Sequence, residues 1–422
     1  GRRRQVPSGV APQVAQITMP MRALLSLGMC VTAAALKMPA STGRRSVLRK
    51  AALASTTTAL PALLPVLPAG AESSVSDMAP FRPEAEFTIE RTISELELYS
   101  GVETAPPRVV VLTGANSGIG FAAAKLLTAA GHTVICACRL QAKADETARA
   151  CMQYAAENMR REGGIARGME CNLADLKSVR AFARQLEGTP IDTLALNAGL
   201  ALNTGDKAAQ RTADGFELTV GTNHLGHFLL ANLLVPQLEK GTKPRIVVTA
   251  SSVHDPSSGG GKQGSPASLG DLSGLESGAH FEMVDGSSFN PDKAYKDSKL
   301  CNMMFTAEAA RRFGTSGFSV VSLSPGLIAN PDGFFRYQNK LFARAFDFIS
   351  RTLGVAETVE FGGSGVAYLA VAPLDDRLNG AFFDNFPPGK HQLAVHAPSA
   401  EARDEAKQRK LWDLSCKLTG LA

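Results

Sequence analysis

The chain has 422 residues, enough for one large α/β domain with extensions. Its formal charge of +5 comes from its first part: residues 1–71 carry nine Lys or Arg and no Asp or Glu, which leaves −4 from Glu72 onward. The basic balance is therefore no argument for nucleic-acid binding, and the remainder has no basic stripe or aromatic platform to support it.

Met21-Arg22 opens an apolar stretch, Ala23 to Leu36, too short for a comfortable membrane span, as in a secretory signal. A segment rich in Ser, Thr, Ala and Arg follows, as in an organellar transit peptide. Within it, Gly43-Arg44-Arg45-Ser46-Val47-Leu48-Arg49 resembles a twin-arginine export signal, and Ala69-Gly70-Ala71 fits an A-x-A cleavage site. An ordinary transit peptide with a chance arginine pair accounts for the same residues. Pro61, Pro65 and Pro68 oppose a stable spanning helix there. Residues 1–71 thus read as a targeting leader, 72–104 as a linker and 105–422 as the folded domain.

From Arg108 on, strand and helix signals alternate. Strands are expected near 108–113, 132–138, 165–171, 191–196, 245–250, 318–323 and 379–383. Helices are expected between them, near 118–130, 142–161, 175–187, 213–239 and 292–313. This alternation predicts an α/β fold: a Rossmann-type, doubly wound parallel sheet with helices on both faces, in a single domain. Ser257 to Ser268 is rich in Gly, Ser and Pro and reads as a mobile loop.

The first strand runs into Gly114-Ala115-Asn116-Ser117-Gly118-Ile119-Gly120 and then an apolar-periodic helix. Glycines so placed allow a tight turn and let backbone approach a pyrophosphate, which the helix N-terminus attracts. A plain strand–turn–helix with no ligand explains three such glycines less well. The second strand ends in Arg139, with Lys143 four residues on. NAD sites place an acid near this point to hold the ribose hydroxyls. Two cations there suit a ribose phosphate instead, so NADPH is expected over NADH. Solvated charge at a helix start is the competing reading.

Tyr295 and Lys299 form a Tyr-x-x-x-Lys pair, and helical spacing puts both on one face. A free phenol, with a pKa of roughly 10, is a poor acid–base group at neutral pH. The Lys299 ammonium is expected to lower it and make proton transfer feasible.

Among the seven Cys (30, 136, 138, 151, 171, 301 and 416) there is no Cys-x-x-Cys and no zinc spacing, so they read as small buried hydrophobes, Cys301 included. His224 and His227 have a spacing that could suit a metal, but no acid or third ligand is near, and structural hydrogen bonding is expected. His391 and His396 receive no role. Phe334, Phe335, Tyr337, Leu341, Phe342, Phe346, Phe348 and Ile349 alternate with Arg336, Lys340, Arg344 and Arg351. Core packing, an apolar substrate and an interfacial helix at an anionic lipid surface are all compatible with that spacing.

Several of these pieces resemble the short-chain dehydrogenase/reductase family, in the family's order, over about residues 108–330. They are Thr113-Gly114-x-x-x-Gly118-x-Gly120, Asn197-Ala198-Gly199, Asn223 in Thr-Asn-His-Leu-Gly, Ser252 after the strand Arg245 to Ala250, Tyr295 with Lys299, and Pro325-Gly326. The runs Thr212 to Leu230, Leu269 to Leu275, Ala294 to Met303 and Lys410 to Ala422 further resemble that family's light-dependent, protochlorophyllide-reducing branch. So does the wide separation of Ser252 from Tyr295, which marks an insertion at 253–290 before the catalytic tyrosine.

The resemblance implies roles. Tyr295 donates a proton, Lys299 tunes it and holds the nicotinamide ribose, Asn223 kinks its helix and anchors a water relay, and Ser252 polarises the reacting group. Gly114, Asn116, Ser117, Gly118, Ile119 and Gly120 hold the cofactor's phosphates, with Arg139 and Lys143 beside them. Asn172 and Leu173 lie near adenine, and Asn197, Ala198 and Gly199 lie under the cofactor. Pro325, Gly326 and Ile328, with Leu327 between them, cover the nicotinamide face, and residues 331–355 form a helical lid. No metal is implied.

Two positions depart from the branch. Leu327 stands where it carries a Cys, and Ala201 where it carries a Tyr. Gly199 follows the wider family, and Asn172 replaces a usual Asp. The expected activity is light-dependent reduction of protochlorophyllide to chlorophyllide with NADPH, in a chloroplast and in peripheral contact with the thylakoid. The leader leaves open the stromal or lumenal side, and the oligomeric state is not legible. The alternatives are a dark, retinol-dehydrogenase-like reductase of a lipophilic carbonyl or alkene, and a non-catalytic pigment- or cofactor-binding relative.

Overall fold

Val110, Val111 and Leu112 are fully buried within β2 (Val109–Thr113), as a strand covered on both faces must be. In the computed structural model, which describes residues 92–328, 348, 350 and 352–421, this strand lies inside a nine-stranded sheet. β3 (Thr133–Cys138) and β4 (Ile165–Glu170) extend the sheet on one side. β5 (Thr193–Leu196), β6 (Arg245–Thr249), β7 (Ser319–Ser324) and β8 (Phe382–Asp384) extend it on the other, all parallel. β9 (Gln392–His396) and β1 (Thr92–Ser94) finish that edge with antiparallel pairing, giving the order β1-β9-β8-β7-β6-β5-β2-β3-β4.

The described helices are α1 (Glu95–Thr104), α2 (Gly118–Ala129), α3 (Gln141–Glu157), α4 (Leu176–Gln185), α5 (Gly226–Leu238), α6 (Pro291–Gly314), α7 (Val359–Val371) and α8 (Glu405–Thr419), beside shorter turns. Successive strand side chains point to opposite faces. Val111, Leu194, Leu196, Ile246 and Val248 accordingly join one core with α4, α5, α6 and α8. Val110, Leu112, Ala195 and Val247 join the other with α1, α2 and α7. The chain order reverses between β2 and β5, and the crevice beyond the carboxyl ends of two such strands is where open α/β sheets bind ligands.

The doubly wound parallel sheet matches the expectation, with an added antiparallel edge. The linker expected at 72–104 is corrected from residue 92 onward. There β1 pairs with β9, and Ile93, Leu98 and Val102 are core residues. α7 was not anticipated, because its sequence, Val-Glu-Phe-Gly-Gly-Ser-Gly-Val-Ala-Tyr-Leu-Ala-Val, is glycine-rich and, after Glu360, shows no polar stripe to mark a helical period. The glycines serve contact: a Cβ on Gly363 would lie 2.5 Å from Ala122 Cβ, and one on Gly362 would lie 2.6 Å from Ile119 Cγ2. α7 thus sits flush on α2, where any side chain would wedge the two apart.

The 257–268 loop is likewise anchored rather than loose. Lys296 donates to the Ser265 carbonyl at 3.0 Å and to that of Gln263. Asp292 accepts the Ser265 N–H at 2.9 Å, and Asp297 accepts that of Ser268 at 3.0 Å. The expected leader lies outside the described residues, as does most of the expected lid at 331–355; of its aromatic and basic residues only Phe348 is described, and it is exposed. No helix among the described residues is long and apolar enough to cross a membrane.

The ring of Trp412 on α8 lies 4.8 Å from that of Phe228, 5.8 Å from Phe305 and 5.7 Å from Phe313, so α8 clamps α5 to α6. Trp412→Ala is expected to lower stability by about 3–5 kcal/mol through lost burial and the cavity left behind. Urea denaturation followed by far-ultraviolet circular dichroism would read this. A loss below about 1 kcal/mol would mean that α8 is not integral to the core.

Candidate active site

β2 ends at Thr113, and the chain turns sharply through Gly114 (φ +66°) and Gly118 (φ +53°), both in the left-handed region that favours glycine. A Cβ on Gly114 would lie 2.9 Å from Ala198 Cα. One on Gly120 would lie 2.3 Å from the Gly114 carbonyl oxygen and 2.5 Å from Asn197 Nδ2. The turn, the start of α2 and the exit of β5 therefore approach one another too closely for side chains. Ser117 occupies the N-cap of α2 but its side chain makes no capping bond, so first-turn N–H groups remain for an anion. This cradle fits a dinucleotide pyrophosphate.

Asn197 and Ala198 are held under that turn. Both backbone N–H groups donate to Thr113 Oγ1, at 2.8 and 3.0 Å, and Asn197 Nδ2 donates to the Thr113 carbonyl at 2.9 Å. Asn116 and Arg139 are exposed at the crevice, and Lys143, also exposed, reaches Glu146 at 2.6 Å. Such an exposed pair is weak and gives way readily. Asn172 points its side-chain oxygen at the Ala174 N–H, 3.2 Å away, so that oxygen serves a local turn. Leu173 is buried, and its carbonyl oxygen would lie 2.3 Å from a Cβ on Gly226, packing the end of β4 against α5.

α6 begins cleanly. Asn290 caps it by accepting the Lys293 N–H at 3.1 Å, and Pro291 occupies the first turn. One turn in, Tyr295 is partly exposed. Lys299 follows a turn later, with Nζ 2.9 Å from the Thr249 carbonyl and 5.7 Å from the centre of the Tyr295 ring. A Cβ on Gly199 would lie 3.5 Å from Asn223 Oδ1 and 3.7 Å from Lys299 Nζ. The exit of β5, the Asn223 helix and α6 therefore meet at one point.

Asn223 lies in a π turn, Gly221–Leu225, between a short α turn and α5, where the expected kink falls. Its side chain accepts the Leu200 N–H at 2.9 Å and donates to the Leu200 carbonyl at 2.9 Å and to Ser298 Oγ at 3.0 Å.

The serine beside the phenol differs from the one expected. Ser251, not Ser252, hydrogen-bonds the Tyr295 side chain. Ser252 instead donates its backbone N–H to Ser324 Oγ at 3.1 Å. Two adjacent serines after a strand look alike in sequence. The turn begins at Ser251, whose hydroxyl also accepts the Val253 N–H.

The expected electrostatics are corrected as well. Burial raises the Tyr295 phenol above its usual range, and the Ser251 hydrogen bond is what opposes the rise. Burial also lowers the Lys299 ammonium to about 8. Tyr295 is therefore held protonated at neutral pH, as a proton donor requires.

After β7, Pro325, Gly326 (φ +86°), Leu327 and Ile328 turn across the same end of the sheet. Leu327 bridges Ala356, and the Leu327 carbonyl accepts the Glu357 N–H at 2.9 Å. A Cβ on Gly362 would meet Ile119, Ile328 at 3.2 Å and Pro325 at 3.4 Å, which brings this turn beside the glycine turn. Ala201 is buried.

The histidines bind protein groups. His224 Nε2 lies 3.0 Å from Ser415 Oγ, and His227 lies between Thr113 and Asn223. No cluster of His, Cys, Asp and Glu among the described residues could hold a metal. Cys136, Cys138, Cys151, Cys171 and Cys301 are buried and form no disulfide, and burial pushes the Cys138 thiol up to about 11.

Residues 108–262 match the short chain dehydrogenase family. The chain is 38% identical over 332 residues to "Protochlorophyllide reductase, chloroplastic" of Chlamydomonas reinhardtii, covering 76% of this chain and 79% of the relative. It is 38% identical over 338 residues to "Protochlorophyllide reductase A, chloroplastic" of Oryza sativa subsp. japonica, covering 76% and 83%. An uncharacterized protein from Mycobacterium paratuberculosis, solved by crystallography, matches with a TM-score of 0.54 at 30% identity, covering 76% of this chain and 97% of that one.

Gly120→Ala puts a methyl group into the Gly114 carbonyl and Asn197. It is expected to weaken NADPH binding by at least about tenfold, the cost of a lost or distorted hydrogen bond or two. A fluorescence titration of NADPH checks this, and affinity equal to that of the unaltered protein would remove the turn from the nucleotide site.

Proposed function

Because the chain belongs to the short-chain dehydrogenase/reductase family, we propose that this oxidoreductase uses NADPH to reduce protochlorophyllide to chlorophyllide under light, as a step of chlorophyll biosynthesis. The observation that carries the reading is the Tyr295 phenol, bonded by Ser251 and followed one turn later by Lys299, at the crevice that holds the glycine turn. The relatives' names, at 38% identity across 76% of this chain, support the pigment as substrate and the chloroplast as location. Peripheral thylakoid contact belongs to the same reading.

When bound, the nicotinamide supplies a hydride to one carbon of the pigment's ring double bond. Tyr295 donates the proton to the neighbouring carbon, and Ser251 aims the phenol by hydrogen bonding. Lys299 holds its ammonium between the Thr249 carbonyl and the phenol ring, placed for the ribose hydroxyls. Asn223 ties Leu200 to Ser298 on α6 and fixes the floor on which a water relay to Tyr295 would stand. Gly114 to Gly120 and the α2 N-terminus receive the pyrophosphate, and Arg139 receives the ribose phosphate, with Lys143 released from Glu146. Asn197 to Gly199 lie beneath the cofactor, and Pro325 to Ile328 cover its nicotinamide.

A second reading, a dark reductase of a lipophilic carbonyl, is favoured by Leu327. This residue stands in the turn across the site with an aliphatic side chain that cannot give a proton.

The protein is mixed with NADPH and protochlorophyllide, and absorption spectra are taken in darkness and after a flash. A flash-dependent shift to the chlorophyllide band is expected. NADPH binding with no shift would leave the dark reductase. Tyr295→Phe should lower turnover by about 10²–10⁴-fold with NADPH still bound, the usual contribution of a general acid. Ser251→Ala should cost about tenfold or more, and Ser252→Ala far less, since only the former removes a bond to the phenol. Equal effects of the two would overturn the serine assignment.

Lys299 gives a pH dependence. Its value in the free protein, about 8, is below the usual 10.5, so the ammonium is lost as pH rises through that point. NADPH affinity should be constant below it and weaken above it, while Lys299→Arg should be flat across the range. Titrations between pH 7 and pH 9, roughly spanning that value, decide the matter.

A further inference from the structure

We propose that His227 is a positioning residue: a rigid strut that ties the Asn223 carbonyl in the π turn to the Thr113 hydroxyl beneath Asn197 and Ala198. It rests on the nucleotide and catalytic roles proposed above for Asn197 and Asn223, and it adds the part that keeps the two in register.

Hydrogen-bond bookkeeping fixes the ring. His227 is buried, with Nδ1 3.0 Å from the Asn223 carbonyl oxygen and Nε2 2.9 Å from Thr113 Oγ1. A carbonyl only accepts, so Nδ1 carries the proton and donates it. Burial, with the Lys299 charge as a lesser cause, lowers the imidazole to about 4, so the ring is neutral and Nε2 is a bare acceptor. Thr113 then donates its hydroxyl proton to Nε2, at a shorter distance than the 3.3 Å to the Ala195 carbonyl. Its lone pairs are left for the N–H groups of Asn197 and Ala198. Every donor in the chain has one acceptor, and the direction of each bond follows from the one before.

The π turn gives the strut its purpose. A π turn disturbs the regular i→i+4 ladder, and such turns recur at functional sites. Here the Asn223 carbonyl is taken up by a side chain four residues on, while the Asn223 side chain clamps Leu200 and Ser298. His227 therefore spans from the catalytic helix pair to the end of β2. An aliphatic side chain would leave the Asn223 carbonyl without this bond and free the Thr113 hydroxyl to turn away from Asn197 and Ala198. An asparagine at 227 would keep only the near bond, as Asn232 does on the same helix by donating to Phe228 at 2.8 Å.

The test is a double-mutant cycle read by NADPH affinity. His227→Asn and Thr113→Val remove the two partners of the same bond, and Thr113→Val also strips the Asn197 and Ala198 N–H groups of their acceptor; His227→Asn should weaken NADPH by about tenfold, Thr113→Val by more, and the double variant by no more than Thr113→Val alone. His227→Gln, whose longer amide can reach Thr113, should recover part of the loss. Additive losses, or wild-type affinity in both single variants, would overturn the strut. Nitrogen NMR of the unaltered protein at neutral pH gives a reading that needs no variant to fold. Nδ1–H with a bare Nε2 is expected, and the opposite tautomer or a charged ring would overturn the proposal. Failure of the unaltered protein to bind NADPH would instead overturn the nucleotide reading and the strut's function with it.

Discussion

The Thr113 hydroxyl is the joint on which the site depends. Backbone pairing between β2 and β5 ends at Leu112 and Ala195, just where the two chains must part to make room for a nucleotide. Buried N–H groups need partners, and those of Asn197 and Ala198 have lost theirs to that divergence. One side-chain oxygen supplies both and continues the ladder for two residues after the strands have separated. The glycine turn can then rise on one side while Asn197 stays level beneath it. Without that oxygen, the switch point of the sheet would have two orphaned donors at its centre.

Around this joint, burial sets the acid–base behaviour. Tyr295 and Lys299 are both pushed toward their neutral forms, the phenol by keeping its proton and the amine by losing it. The carbonyl of Thr249 and the hydroxyl of Ser251, residues at the end of β6, are the polar groups that meet them. On the other side of α6, Lys293 and Lys296 pair with Asp297 and Asp292 and reach carbonyls of the segment before the helix. The first two turns of this helix therefore carry Tyr295 and Lys299 on one side and secure residues 263–268 on the other.

Much of this was legible in the sequence, for physical reasons that can be named. Most of the parallel strands are short and apolar, with β2, β3 and β6 rich in β-branched residues, and each of the seven expected has a counterpart in the sheet. The glycine turn and the Tyr295–Lys299 spacing are local, so spacing alone placed them. What escaped depended on partners distant in sequence. β1 is three residues long and exists because β9 is there to pair with it. α7 has no polar face to reveal its period, since its partners cover it on all sides. The choice between Ser251 and Ser252 turned on the direction of one side chain at a strand end, which composition does not encode. The Lys299 effect on Tyr295 was inferred from charge alone, and burial proved the larger influence.

The antiparallel edge has a consequence for how the molecule is assembled. Ile93 pairs with Leu393, so the last two strands of the sheet join segments three hundred residues apart. Closing so long a loop costs little more free energy than closing a shorter one, because the entropy grows only with the logarithm of length. It is slow to find, however, because distant pairings form late. The strands from β2 to β5, with the phosphate cradle between them, lie within one continuous stretch and need no such encounter. β8 is different: its exit carries Asn385, whose Oδ1 would lie 2.8 Å from a Cβ on Gly326, and β9 braces it from outside. The glycine turn is thus built from contacts within one continuous stretch, whereas the turn at Gly326 leans on a sheet edge drawn from both ends of the described residues.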